Sequence, residues 1–312
     1  MTDSKQNKTT SVKKRDYRSN SLAKLTLRRI LKQRSAVIGI SILTILILVA
    51  VFAPAIAPYN PNKVLIGIES IKKRAAPCIH LLGCPADQPQ HILGVDGNVR
   101  DEFSRVLFGT RVSLFVGFST VGFAIVIGTI LGAISGYMGG WADNIIMRFM
   151  DVLLAFPSLL LAIAIVTVLG RGLQNALLAI AIVSIPIYAR VVRASILSVK
   201  EMEYVSASRA LGAGHLHILI KRILPNAVSP LIVQGTLGIG TAILDAAALS
   251  FLGLGAQPPL SEWGTMLGSE RNQVFTAPHL VFFPGLAIMI TVLAFNLMGD
   301  GLRDAIDPRL KR

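Results

Sequence analysis

Residues 36–57 form a run of 22 without a single charged side chain. About 20 apolar residues in a helix cover the ~30 Å hydrocarbon core of a bilayer, so the run reads as a membrane span. Its tail, Ala53-Pro54-Ala55-Ile56-Ala57, has the small residues of a leader cleavage site. The apolar run and its basic lead are both longer than a secretory signal has, and Pro58 follows, so the span is expected to be retained. Further apolar runs lie at 112–137, 152–169, 173–189, 230–254 and 281–298. Pro157 is expected to kink the third, Pro186 interrupts the fourth, and Pro284-Gly285 stands near the start of the sixth. Six spans make an all-α integral membrane protein with both termini on one side. Composition agrees: 15% of the residues are charged, against about 25% in soluble domains.

The net charge of +14 could suggest nucleic acid, but eleven of the 31 basic residues lie within residues 1–34. That placement fits a positive-inside anchor against an anionic leaflet, with no nucleic-acid partner. Residues 1–20 are expected to be disordered. Residues 21–32 set Leu22, Leu25, Leu27, Ile30 and Leu31 among Lys24, Arg28 and Arg29, as an interfacial helix would. Six spans then leave both termini and the loop after the fourth span in the cytoplasm. That loop carries Arg190, Arg193, Lys200, Arg209, Lys221 and Arg222.

Residues 59–111 are polar and would lie outside, where a disulfide between Cys78 and Cys84 is plausible as a structural staple. A metal site could recruit His80 and His91, but that spacing matches no common zinc pattern. In the second span Gly128, Gly132 and Gly136 make a small-residue ridge for close helix packing. Gly139-Gly140 and Arg148 mark a short inside turn. Asp245 stands deep in the fifth span, where a carboxylate either lines or gates the path of a solute or is bonded between helices, or protonated, with no role in transport. Gly253-Leu254-Gly255 and Pro258-Pro259 end that helix. Glu262 and Trp263 suggest a short re-entrant or interfacial helix, since tryptophan favours the headgroup level.

The stretch 201–230 combines helical periodicity, charge and punctuation. Tyr204, Ala207, Leu211, Leu216, Ile220 and Ile223 recur near a 3.6-residue period, with Arg209, Lys221 and Arg222 off that stripe. Gly212 and Gly214 break the run, and Leu224-Pro225 is expected to stop its second half. Two short amphipathic helices meeting at a glycine elbow suit contact with another protein; the alternative is a helix lying on lipid. The chain has no G-x-x-x-x-G-K-[ST], G-x-S-x-G or H-E-x-x-H motif. Its histidines (80, 91, 215, 217, 279) are scattered. Neither catalytic residues nor a metal site are expected.

Gly212 followed thirteen residues later by Leu224-Pro225 resembles the EAA loop of permease subunits in bacterial ABC importers, with Ser206-Ala207-Ser208 where Glu-Ala-Ala is usual. The segment 250–267, SFLGLGAQPPLSEWGTML, is similar to permeases of the dipeptide and oligopeptide importers. So is the end GDGLRDAIDPRLKR, through Asp300, Arg303, Asp304 and Asp307-Pro308. Residues 91–114 resemble the family's entry to its second span, with Ile92, Val95 and Val99 departing. Over most of residues 85–312 the chain resembles the second, C-type permease of that class. The resemblance implies a type I importer permease of the bacterial inner membrane. It divides the chain into a basic tail (1–34), a first span (35–58), an outer loop (59–111) and a core (112–312) with a cytoplasmic coupling loop at 201–226. In that loop it places Ser206, Ala207, Ser208, Arg209, Gly212, Ala213, Leu224 and Pro225 against an ATPase. It further implies a homologous second permease, two ATPase subunits, an extracytoplasmic peptide-binding protein and surrounding lipid. ATP and Mg would sit on the ATPase subunits, with no cofactor on this chain. A self-sufficient secondary transporter or channel is the alternative; it would need more ionisable residues than Asp245 within its spans.

Overall fold

A computed structural model describes residues 30–306. The expected disordered tail, most of the interfacial helix (Leu22, Lys24, Leu25, Leu27, Arg28 and Arg29) and Asp307-Pro308 lie outside the described residues. The helices are α1 (Arg34–Ile56), α2 (Glu102–Met138), α3 (Gly140–Leu154), α4 (Ser158–Leu169), α5 (Leu173–Val199), α6 (Glu203–Ala210), α7 (His215–Ile218), α8 (Leu224–Phe251), α9 (Trp263–Glu270) and α10 (His279–Ile306). Among the described residues there is no β-strand, only isolated bridges.

Glycine contacts fix the directions of the spans. Gly39 lies against Ala294 and Met298, and Ala36 against Gly301, so α1 and α10 run antiparallel and their outer chain ends share one side. Gly128, Gly132 and Gly136 meet Ile185–Tyr188, Ala189–Val192 and Arg193–Ile196 in that order, so α2 and α5 run parallel. The ridge read from the sequence is therefore a real seam. Because α2 and α5 both travel the same way, the chain between them must return across the membrane. That return is made by α3 and α4, which are bent 92° to each other. With α1, α2, α5, α8 and α10 it completes six crossings.

The return differs from the sequence expectation. A turn was expected at Gly139-Gly140, but a 15-residue amphipathic helix, α3, follows it. Trp141, Ile145, Phe149 and Val152 are exposed along it. Its carboxylates are anchored to α5: Arg193 reaches both oxygens of Asp143 at 2.5 and 2.6 Å, and Arg190 bonds Asp151 at 2.6 Å. The helix itself runs on past Arg190 and Arg193 to Val199, and both arginines are paired with α3. The third span does not start at residue 152 either. The chain breaks before Pro157, because the residue preceding a proline is pushed out of helical geometry, and α4 has only 12 residues, about 18 Å.

Two more prolines behave differently from expectation. Pro186 is buried within an uninterrupted α5, where surrounding helices compensate the missing backbone donor. Leu224-Pro225 does not stop a helix but starts one: α7 continues through a π turn (Leu219–Ile223) into α8. Pro225 cannot donate to the carbonyl one turn back, and widening the helix just ahead of it relieves the clash of the ring with that carbonyl. Residues 215–251 thus form one long helix.

Beyond the far end of α1 the chain folds into a small cap with its own core of Leu65, Val95 and Val99. Cys78 and Cys84 are joined by a disulfide with Cα atoms 5.4 Å apart. His91 is fully buried, its ring between Asp101 (2.8 Å) and Glu69 (3.0 Å) and stacked on Tyr59. Burial alone would lower the pKa of His91, but hydrogen bonds to Asp101 and Glu69 and their charges outweigh it and raise it. The cap is tied to α9 through Arg74, 2.7 Å from Glu270. Glu262 caps α9 by accepting from the Gly264 and Thr265 amides. Trp263 packs near the outer start of α2 rather than facing outward. It is fully buried and donates to the Val106 carbonyl at 3.1 Å, filling the space that Gly109 leaves on α2.

Candidate functional site

The end of the molecule carrying residue 34 and the C-terminal end of α10 also carries the ends of α2 and α5 and the whole of α6 and α7. Arg34, Arg148, Lys200, Arg209, Lys221, Arg222 and Arg303 lie there, and eleven basic residues of the sequence fall within 1–34. The seven of the loop 59–111 lie at the other end, but long loops follow the positive-inside rule poorly, and the rule makes the first the basic, cytoplasmic end.

At this end α6 and α7 form an elbow. The α6 helix stops at Ala210, and its Leu211 and Gly212 amides bond back to Ala207 and Arg209. Gly212 then turns the chain with φ +79°, a conformation that costs a side-chain-bearing residue energy and glycine nothing comparable. Gly214 has an ordinary extended backbone and opens α7 as its N-cap. Nothing lies within 4 Å of a side chain built at Gly212, so its outer face is open. Ser206, Ala207, Arg209 and Pro225 are exposed, and Ser208, Ala213 and Leu224 are half-buried.

The apolar stripe read from the sequence is not the face the protein buries. Val205, Ile218 and Ile223 are fully buried and carry the elbow against the bundle. Of the expected stripe only Ile223 joins them. Tyr204, Leu211, Leu216 and Ile220 are exposed, Leu211 at 88% and Leu216 at 70%. Tyr204, Ala207 and Leu211 before Gly212 and Leu216 and Ile220 after it all face outward, so the stripe marks the open face of both arms rather than the packed one. The result is a basic, apolar-tipped projection with no covering element among the described residues.

The elbow is held to the bundle by polar contacts. His215 Nδ1 and the Tyr137 hydroxyl at the end of α2 are 2.9 Å apart, and Lys200 donates to the Gly136 carbonyl at 3.3 Å. Sequence reading missed Tyr137, Tyr204 and Asn226 as elbow residues. Tyr204 had been counted only as part of an apolar stripe.

Asp245 is half-buried on α8 and makes no hydrogen bond or ion pair with any described residue of this chain. Gln234 and Thr241 stand eleven and four residues before it, on the same helical face, and neither is fully buried. That spacing was available in the sequence as a polar seam. The histidines stay apart, and among the described residues no three metal-type side chains gather.

Residues 128–312 match the family described as binding-protein-dependent transport system inner membrane component. Residues 21–77 match the N-terminal TM domain of oligopeptide transport permease C. The dipeptide transport system permease protein DppC of Alkalihalophilus pseudofirmus is 48% identical over 284 residues, 91% of this chain and 89% of its own length. The di/tripeptide transport system permease protein DppC of Pseudomonas aeruginosa is 47% identical over 89% of each chain. The glutathione transport system permease protein GsiD of Pectobacterium atrosepticum is 47% identical over 91% of this chain and 90% of its own. In fold, the chain is similar to the inward-facing MetNI methionine ABC transporter, with a TM-score of 0.55 at 20% identity, covering 65% of this chain and 97% of that one.

Proposed function

Because the chain belongs to the family of binding-protein-dependent transport system inner membrane components, a multi-pass permease subunit of the bacterial inner membrane, we propose that it forms half of a path for di- or oligopeptides. The relatives' own names, dipeptide, di/tripeptide and glutathione, support peptides as the solute class. The other half would come from a homologous second permease. An extracytoplasmic binding protein would deliver the solute to the outer side. Two ATPase subunits would bind ATP and Mg below, leaving this chain without a cofactor. Membership of a binding-protein-dependent family argues against a self-sufficient carrier or channel.

The observation that carries the coupling role is the elbow: Leu211, Leu216 and Ile220 are exposed on a basic projection at the end of the bundle assigned to the cytoplasm. Exposed apolar tips of this kind suit burial in a partner groove. Ser206, Ala207, Ser208, Arg209, Gly212, Ala213, Leu224 and Pro225 are the proposed coupling residues. Closure of the ATPase pair on ATP would displace the elbow, bias the bundle toward an outward-open state, and hydrolysis would reset it. Gln234, Thr241 and Asp245 would line the path on α8.

The test is Gly212→Asp. An acidic side chain at φ +79° both strains the turn and enters the docking face. We expect the variant to insert normally, to lose the co-purifying ATPase in mild detergent and to lose uptake. Normal uptake with the ATPase still bound would overturn the coupling assignment.

A further inference from the structure

The α6 arm packs on the bundle through Val205 and is linked to the long helix of residues 215–251 in two further ways. One is the backbone through Leu211 and Gly212. The other is a clasp of side chains. The Tyr204 hydroxyl donates to the Arg222 carbonyl at 3.2 Å. The Asn226 amide nitrogen donates to the Tyr204 hydroxyl at 2.9 Å and to the Arg222 carbonyl at 2.8 Å. Among the described residues the two bonds of the Tyr204 hydroxyl are the only side-chain hydrogen bonds between α6 and the long helix of residues 215–251, and the third ties Asn226 to Arg222 within that helix. The two Tyr204 bonds bridge 18 and 22 positions of sequence and land where the π turn passes into α8.

The two routes differ mechanically. Gly212 is the permissive joint of the elbow: it tolerates both signs of φ and has open space around it, so a push on α6 can be absorbed there as a backbone rotation. The clasp bypasses that joint and holds α6 to the foot of α8, the helix that carries Gln234, Thr241 and Asp245. Taking the coupling reading above as its basis, we propose that Tyr204, seconded by Asn226, is a positioning residue for coupling: its hydroxyl passes displacement of the docking arm directly to α8. Val205, beside it, is fully buried and holds α6 in place whether or not the hydroxyl is present. The clasp therefore sets how α6 and α8 move together, whereas Val205 sets whether α6 packs.

The experiment uses the complete importer in proteoliposomes, measuring uptake and ATP hydrolysis in the same preparation with dipeptide-loaded binding protein. Tyr204→Phe removes one oxygen and keeps the ring. We expect the ATPase to co-purify at wild-type level and the ATP consumed per dipeptide to rise roughly three- to tenfold, the range one neutral hydrogen bond supports. Asn226→Ala should do the same, and the double variant should be no worse than either single, because the two act as a unit. An unchanged ratio of ATP to dipeptide in Tyr204→Phe would overturn the proposal, as would a parallel fall of both activities with loss of the ATPase. Gly212→Asp in the same assay separates the two readings. If it releases the ATPase while Tyr204→Phe leaves the ratio unchanged, docking at the elbow stands and the clasp falls. If it leaves the ATPase bound and uptake normal, the coupling reading falls and the clasp with it.

Discussion

Replacing Gly132 by alanine tests whether the seam between α2 and α5 is set by backbone approach. A methyl group at Gly132 would lie 2.9 Å from Val192 Cβ and would press on the Ala189 carbonyl oxygen. Carbon pairs rest at about 3.5–4.0 Å, so the helices must separate by at least about 0.6 Å or the backbone must bend. Overpacking of this size costs about 1–3 kcal/mol. Alanine also gains about 1 kcal/mol over glycine in helix propensity, which would mask part of the loss. Gly122 supplies the control: it lies on the same helix, is exposed, and has nothing within 4 Å of an added Cβ. The propensity gain is common to both substitutions and cancels in their difference, leaving the packing cost alone. Thermal unfolding of the two variants in mild detergent should place Gly132→Ala several degrees below Gly122→Ala, at the 2–4 °C per kcal/mol found for chains of about 150–250 residues. Coincident melting temperatures would refute the argument that this seam depends on bare backbone contact.

Asp245→Asn removes a charge that no described partner satisfies, so it should change the transport rate while leaving expression and melting temperature near wild type. Unchanged rate and solute range would remove Asp245 from the path. His91 gives a pH signature in the outer cap. Its pKa is raised in the folded protein, so its ion pairs with Asp101 and Glu69 contribute fully below the unfolded value of about 6.5. That contribution is lost as pH rises through the higher folded value. Hydrogen exchange of residues 59–101 should therefore quicken from pH 6 to 8 by more than the intrinsic rate. In His91→Gln the excess should disappear; if it persists, another group carries the pH dependence.

The sequence made the crossings legible because hydrocarbon thickness acts on run length alone, and residues 36–57 or 112–137 meet it without help from any neighbour. It also located the elbow, because Gly212 interrupts an otherwise helical stretch. Where tertiary contacts decide, it misled. Pro186 and Pro225 look like helix ends, yet the first is accommodated within a packed span and the second follows a π turn that carries the helix past it. Residues 140–154 mix Trp141, Arg148 and Asp151 too closely to read as a span; their amphipathy becomes meaningful only with Arg190 and Arg193 beside them. Trp263 has an interfacial tryptophan's usual flanks, but the gap opposite Gly109 takes it inside. The outward turn of Leu211, Leu216 and Ile220 was hidden for a simpler reason: an apolar stripe at helical spacing looks the same whether it packs on its own bundle or faces a partner.

The short α4 also constrains how the protein can be made. Twelve residues are too few to be handed into lipid by themselves, since a span needs about 20. The α3–α4 segment must therefore wait near the membrane until α5 has been synthesised. Arg190 and Arg193 arrive late in α5, and their pairing with Asp151 and Asp143 secures α3 at the basic end. Those two ion pairs can close only when α5 has entered with its basic end on the same side as α3, so they tie the direction of α5 to the placing of α3.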